Sequence, residues 1–173
     1  MKAIRLIALA ACMAATLDAS AQEQEIRLFS HRGGRMEHDE NTLSAFQASY
    51  DAGYRGFETD IRMTRDGALV ITHDSSLERT TDGTGTVEEK TEAEIRRLRT
   101  KQGNKVLFLD ELLEFLKGKE GLYVEFEMKT KPVELYPEER LHAYCDKLYD
   151  AVMAVKPADA VFVFTSGDYR GLR

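Results

Sequence analysis

The chain has 173 residues, 43% hydrophobic and 31% charged, enough for one packed core and too apolar for a disordered polymer. Its formal net charge is −6 and no basic stripe runs through it, which excludes a broad nucleic-acid-binding face. No apolar run reaches about 18 residues, so no stable membrane span is expected.

The first segment reads as a leader. Lys2 and Arg5 precede the apolar run from Leu6 to Ala15, and Ala19-Ser20-Ala21 before Gln22 makes a small-residue cleavage site. This is the layout of a secretory signal peptide, so export to the periplasm or medium is expected. Residues 1–21 are then the leader and 22–173 one domain. Leu9-Ala10-Ala11-Cys12 resembles a bacterial lipobox, but the apolar run before Cys12 is short and the other site lies downstream, which favours soluble export. Cleavage would remove Cys12 and leave Cys145 alone, so packing rather than a disulfide must stabilise the domain. Cys145 shares a helical stripe with Leu141, Leu148 and Val152 and reads as a small buried apolar residue.

Beyond the leader, strand and helix patterns alternate. Residues 26–30 predict a short strand ending at His31. Thr42 to Ala52 predicts a helix with Leu43, Phe46 and Tyr50 on one face, closed by Gly53. Phe57 to Met63 predicts a strand, Arg65-Asp66-Gly67 a turn, and Leu69 to His73 a third strand. A polar, glycine-containing stretch follows from Ser75 to Lys90. Thr91 to Glu94 forms a capping box opening a short helix through Arg99. Asp110 to Lys117 predicts a helix stopped by Gly118, and Leu122 to Met128 a strand. Pro137 suits the first turn of a long helix ending near Val155, and Val161 to Thr165 predicts the fifth strand. Such alternation implies an α/β fold of βαβ units around a parallel sheet in a single domain.

The strand ends carry the chemistry. Residues two apart on a strand share a face. Glu58 and Asp60 therefore face away from Phe57 and Ile61, while Glu125, Glu127 and Lys129 face away from Val124, Phe126 and Met128. The apolar set packs under helices, which sends the carboxylates to the other side of the sheet. Converging carboxylates are stable there only when paired or metal-bound, and an all-oxygen donor set favours Ca²⁺ or Mg²⁺ over zinc. His31 and His73, at the ends of the first and third strands, can exchange protons near neutral pH. Arg32 and Lys129 add positive charge for an anionic oxygen. Two histidines, two cations and a divalent metal describe a phosphoester site.

Linked blocks carry a family resemblance. Ser30-His31-Arg32-Gly33-Gly34 and Glu40-Asn41-Thr42-Leu43-Ser44-Ala45-Phe46 resemble the opening motif of the glycerophosphodiester phosphodiesterases. Gly56 to Arg62, Asp66-Gly67, Val70 and His73-Asp74 are similar to the second block of that family, and Leu77 to Gly85 to the start of its insertion. Glu127-Met128-Lys129 is similar to its Glu-x-Lys strand and Thr165-Ser166 to the head of its fifth strand.

The resemblance implies a (β/α)₈ barrel, represented here by about its first five βα units. It also implies a divalent cation and hydrolysis of small glycerophosphodiesters to glycerol 3-phosphate and an alcohol. It makes His31 and His73 the general acid and base, Glu58, Asp60 and Glu127 the metal ligands, and Arg32 and Lys129 the phosphate holders. Glu40 would support the site, and Glu125 would be a supporting residue or an alternative ligand.

Asp39 stands where proline is common, and Gly167 where an aromatic often follows Ser166. A complete barrel takes about 250 residues, so about three βα units are expected to be lacking, and the absence of Trp fits that expectation. Two other readings stand beside this one. One is a related barrel phosphodiesterase, phospholipase D-like or phosphatidylinositol phospholipase C-like. The other is an inactive metal-binding scaffold.

Overall fold

A computed structural model describes residues 27–131 and 133–172, so the expected leader, Cys12 and its cleavage site lie outside the described residues. Strand β1 spans Phe29–His31, helix α1 Leu43–Asp51, β2 Gly56–Met63 and β3 Leu69–Ile71. Then come a 3₁₀ turn at Val87–Glu89, α2 at Glu92–Ile95, α3 at Leu109–Leu116, β4 at Tyr123–Met128, α4 at Glu138–Val155 and β5 at Val161–Ser166. No described helix is long and apolar enough to cross a membrane.

The sheet runs β1-β2-β4-β5, all parallel, and the path is open. Among the described residues it is a sector of a (β/α) barrel with four staves. The expectation of five βα units is corrected here, because β3 pairs antiparallel with the far end of β2, with Ile61 opposite Ile71. The turn explains the difference. Residues 64–68 are too few for the crossover that a parallel neighbour needs, which takes a dozen residues or more. The Thr64 amide donates to the Ala68 carbonyl at 2.9 Å, closing a hairpin instead. Strand β3 also stops at Ile71, leaving His73 on a loop. The helix expected through Arg99 is only one turn, although its Thr91–Glu94 capping box is present.

Local sequence explains the remaining elements. Thr42 caps α1 by accepting the Ala45 amide, and the four apolar positions of α3, Leu109, Leu112, Leu113 and Leu116, recur at helical spacing and are buried. Pro137 sits just before α4, where a missing N–H leaves nothing unsatisfied. Gly56 is required where β1 and β2 approach, because a β-carbon there would collide with the Leu28 carbonyl oxygen.

The core lies on the outer face of the sheet. Phe57, Ile61, Val124, Phe126 and Met128 pack against Phe46 of α1, the leucines of α3, and Leu141, Tyr144, Leu148 and Val152 of α4. A second cluster of Val70, Leu77, Val87, Ile95, Val106 and Phe108 supports the segment between β3 and α3. With the outer face committed to packing, alternate residues of β2 and β4 must point to the other side. Those residues are Glu58, Asp60, Arg62, Glu125 and Glu127.

Candidate active site

Parallel pairing sets Glu58 beside Glu125 and Asp60 beside Glu127. Carboxylate oxygens of Glu58, Asp60 and Glu127 all lie within 4.8 Å of one another. Asp60 is fully buried and Glu58 nearly so. Burial, with repulsion from Asp60 and Glu127, pushes the Glu58 carboxyl up to about 7. Glu58 Oε1 and Asp60 Oδ1 are buried without a hydrogen-bond partner, although Asp60 Oδ1 lies 3.1 Å from Lys129 Nζ in an ion pair. A buried oxygen without a partner on Glu58 and a carboxyl forced toward its neutral form mark a cluster whose charge a cation would compensate. The donor set is all oxygen, so the residues fit a hard divalent cation.

The loop after β1 wraps the cluster. Arg32 and Asn41 both adopt left-handed backbone, with φ of 54° and 57°, an uncommon state for residues other than glycine. This turn points the Arg32 amide at Glu58, where it donates to the Oε2 carboxylate oxygen at 3.1 Å and to the carbonyl at 3.1 Å. Asn41 Nδ2 donates to Asp60 Oδ2 at 2.9 Å. The turn is tight because Gly33 lies against α1, where a β-carbon would come within 2.9 Å of Ala45 Cβ.

The cationic residues are paired with the carboxylates. Arg32 Nε lies 3.1 Å from Asp60 Oδ2 and its Nη1 3.2 Å from Glu40 Oε1, while Lys129 Nζ lies 2.6 Å from Glu127 Oε1. Glu40 also takes two hydrogen bonds from Arg79, at 2.7 and 3.0 Å, and these hold its carboxyl below the usual range.

The two histidines differ in surroundings. His31 Nε2 lies 3.5 Å from Glu58 Oε2, and burial, followed by Arg32 and Arg35, lowers its pKa. His73 follows Thr72, whose amide donates to the Asp60 carbonyl at 3.0 Å. His73 Nδ1 lies 2.6 Å from Asp74 Oδ1, and Asp74 is itself gripped by Arg79. The Arg79 contact, with help from His73, holds the Asp74 carboxyl down at about 2.

Glu125 stays outside the cluster. Its Oε1 accepts a hydrogen bond from Thr165 Oγ1 of β5 at 2.9 Å. Three polar residues at the site were not assigned roles by sequence reasoning: Asn41, Asp74 and Arg79. All three fall inside the quoted motifs, yet only the folded loops show which carboxylate or imidazole each one touches.

The sequence pattern of the glycerophosphoryl diester phosphodiesterase family matches residues 31–168. A glycerophosphodiester phosphodiesterase of Caldanaerobacter subterraneus subsp. tengcongensis is 37% identical over 123 residues, which are 66% of this chain and 50% of that one. The glycerophosphodiester phosphodiesterase structure from Agrobacterium tumefaciens aligns with a TM-score of 0.65 at 29% identity, over 83% of this chain and 59% of its own. An Oleispira antarctica phosphodiesterase, solved with the product sn-glycerol-3-phosphate, aligns with a TM-score of 0.73 at 28% identity, over 85% and 60%. The chain thus spans about half the length of the sequence relatives it matches. The match runs from His31 to Asp168 and includes every strand end described above, so the chain belongs to the glycerophosphoryl diester phosphodiesterase family.

Proposed function

We propose that the whole protein carrying this chain hydrolyses small glycerophosphodiesters to glycerol 3-phosphate and an alcohol, with Ca²⁺ or Mg²⁺ held by Glu58, Asp60 and Glu127. The observation that carries this reading is the convergence of those three carboxylates, with Glu58 Oε1 buried and unpartnered, inside a family of phosphodiesterases. The product-bound Oleispira relative supports the substrate class. A cation bound there would polarise the phosphoryl oxygen and offset the charge that develops on it.

The side chains of this chain supply the rest. Arg32 and Lys129, which border the carboxylate cluster, would be the groups that hold the phosphate if a cation satisfied those carboxylates. Asp74 accepts a hydrogen bond from His73 Nδ1, which leaves Nε2 as the atom that gives or takes a proton. Burial lowers the pKa of His31, which favours the neutral imidazole that can take one. The glycerol hydroxyl of the substrate would attack phosphorus, losing its proton to one histidine while the leaving alcohol gains one from the other. Water would then open the resulting cyclic phosphate by the reverse transfers.

The deciding experiment follows release of glycerol 3-phosphate from glycerophosphocholine with and without a chelator. Turnover that the chelator abolishes and Ca²⁺ or Mg²⁺ restores is expected, and His31→Ala and His73→Ala should each lower it by about 10²–10⁴-fold. Chelator-resistant turnover would remove the metal from the reading. Cation binding without turnover would favour a non-catalytic scaffold. We also propose export directed by residues 1–21, for which a processed N-terminus at Gln22 is the expected result.

A further inference from the structure

Arg62 is the third residue on the face of β2 that carries Glu58 and Asp60, and the proposed reaction gives it no role. Its guanidinium is almost fully buried. Nε donates to the His73 carbonyl at 2.9 Å, and Nη1 donates to the Lys129 carbonyl at 3.3 Å and to Glu88 Oε1 at 2.8 Å. Glu88, with a side chain only 2% exposed, has both oxygens engaged. Ser75 Oγ donates to Oε2 at 2.7 Å, and the Tyr136 hydroxyl donates to Oε1 at 3.1 Å while accepting the Met63 amide at 3.0 Å. One buried ion pair thus joins the end of β2, the loop carrying His73, Lys129 just after β4, the 3₁₀ turn and the loop before α4.

We infer that Arg62 is a positioning residue for the proposed reaction and that Glu88 holds it in place, so that the segment from Ser75 to Lys90 sets the separation of His73 from Lys129. Stability alone does not call for this arrangement. Replacing a buried ion pair by well-packed apolar residues is often neutral or stabilising. Apolar side chains cannot bind two carbonyl groups on separate segments at a fixed spacing, whereas a planar guanidinium with several donors can. The two carbonyls it binds belong to a proposed proton-transfer residue and a proposed phosphate-binding residue. A misplacement near 1 Å between such groups is enough to depress turnover strongly.

The inference rests on the proposed phosphodiesterase activity, and the test separates the two. In the whole protein loaded with Ca²⁺, the double variant Arg62→Met/Glu88→Leu keeps the site filled and uncharged. It is expected to stay folded at the assay temperature, with a lowered melting temperature because the His73 and Lys129 carbonyls lose their donor, and to bind Ca²⁺ with wild-type affinity. Its kcat on glycerophosphocholine should fall about 10²-fold, with KM nearly unchanged. Glu88→Gln, which preserves shape, is expected to show a smaller fall of the same kind, and so serves if the double variant does not fold. Wild-type kcat in either folded variant would overturn the inference. So would a loss of kcat that only tracks loss of folding or of Ca²⁺ affinity. Absence of turnover by the wild-type protein would instead overturn the functional reading, and the inference with it.

Discussion

His73 Nδ1 and Asp74 Oδ1 are 2.6 Å apart, a contact between sequence neighbours that fixes an imidazole on a loop. Adjacent residues seldom orient each other, because their side chains diverge. Here Arg79 draws the carboxylate into place from five positions downstream, and Arg79 is anchored in turn by two hydrogen bonds to Glu40. The chain Glu40–Arg79–Asp74–His73 therefore links the loop after β1 to the loop after β3.

Asp74→Asn should lower turnover by about 10²-fold, because an amide can donate to Nδ1 and so favour the tautomer with its proton on Nε2. Cation affinity should stay at the wild-type level, since Asp74 is not among the clustered carboxylates. Calorimetric cation titration beside initial rates reads both quantities. Equal loss of affinity and rate would mean that Asp74 acts on the metal cluster rather than on His73.

Cation binding should depend on pH through Glu58. Burial raises its carboxyl to about 7 in the cation-free protein, against an ordinary value near 4.5. The folded state therefore holds a proton that the unfolded chain has already released. The resulting stabilisation is complete below about pH 4.5 and is lost as pH rises through about 7. A cation must displace that proton, so apparent affinity should weaken by about tenfold for each unit below pH 7 and level off above it. Titrations at several pH values, repeated on Glu58→Gln, check this. A flat profile in the wild type would contradict the assignment.

Much of the site was legible from the period of two along β2 and β4, because an apolar outer face leaves Glu58, Asp60 and Glu127 only one side to occupy. The pairing of Asp60 with Glu127 was not legible, since register depends on both strands at once. The direction of β3 was misread for a related reason. Alternation looks the same in parallel and antiparallel strands, and the length of the turn at Arg65-Asp66-Gly67 was the deciding signal. Asn41 escaped notice because its contact with Asp60 spans 19 residues and needs a left-handed backbone that no side-chain pattern announces.

Glu125 and Glu127, two residues apart on one face, should respond differently to the same substitution. Glu127 belongs to the carboxylate cluster, and Glu125 is engaged by the Thr165 hydroxyl on β5. Glu127→Gln should weaken cation binding by about 10–100-fold or more, whereas Glu125→Gln should change it by less than about threefold. Glu125→Gln should also leave stability nearly unchanged, because the amide oxygen can still accept from Thr165 Oγ1, whereas Glu125→Ala should cost about 0.5–1.5 kcal/mol, the net worth of one hydrogen bond. Equal losses of affinity in both variants would make Glu125 a ligand.

The last prediction concerns the sheet edges. Among the described residues, β1 and β5 each pair with a single neighbour. Strand β5 reads Val-Phe-Val-Phe-Thr-Ser, with no charge and no proline, and Val161 at its start is 42% exposed. A β-rich, uncharged edge offers unpaired backbone groups to another copy, which is the usual route to edge-to-edge aggregation. The 173-residue polypeptide by itself should therefore aggregate at micromolar concentrations, the range in which exposed edges associate. Val161→Lys should raise the monomer fraction, because a charge at an exposed edge position blocks pairing without disturbing the core. Sedimentation velocity of the two polypeptides measures this. A wild-type polypeptide that sediments as a stable monomer would show that the β5 edge is covered, and Val161→Lys should then leave the monomer fraction unchanged.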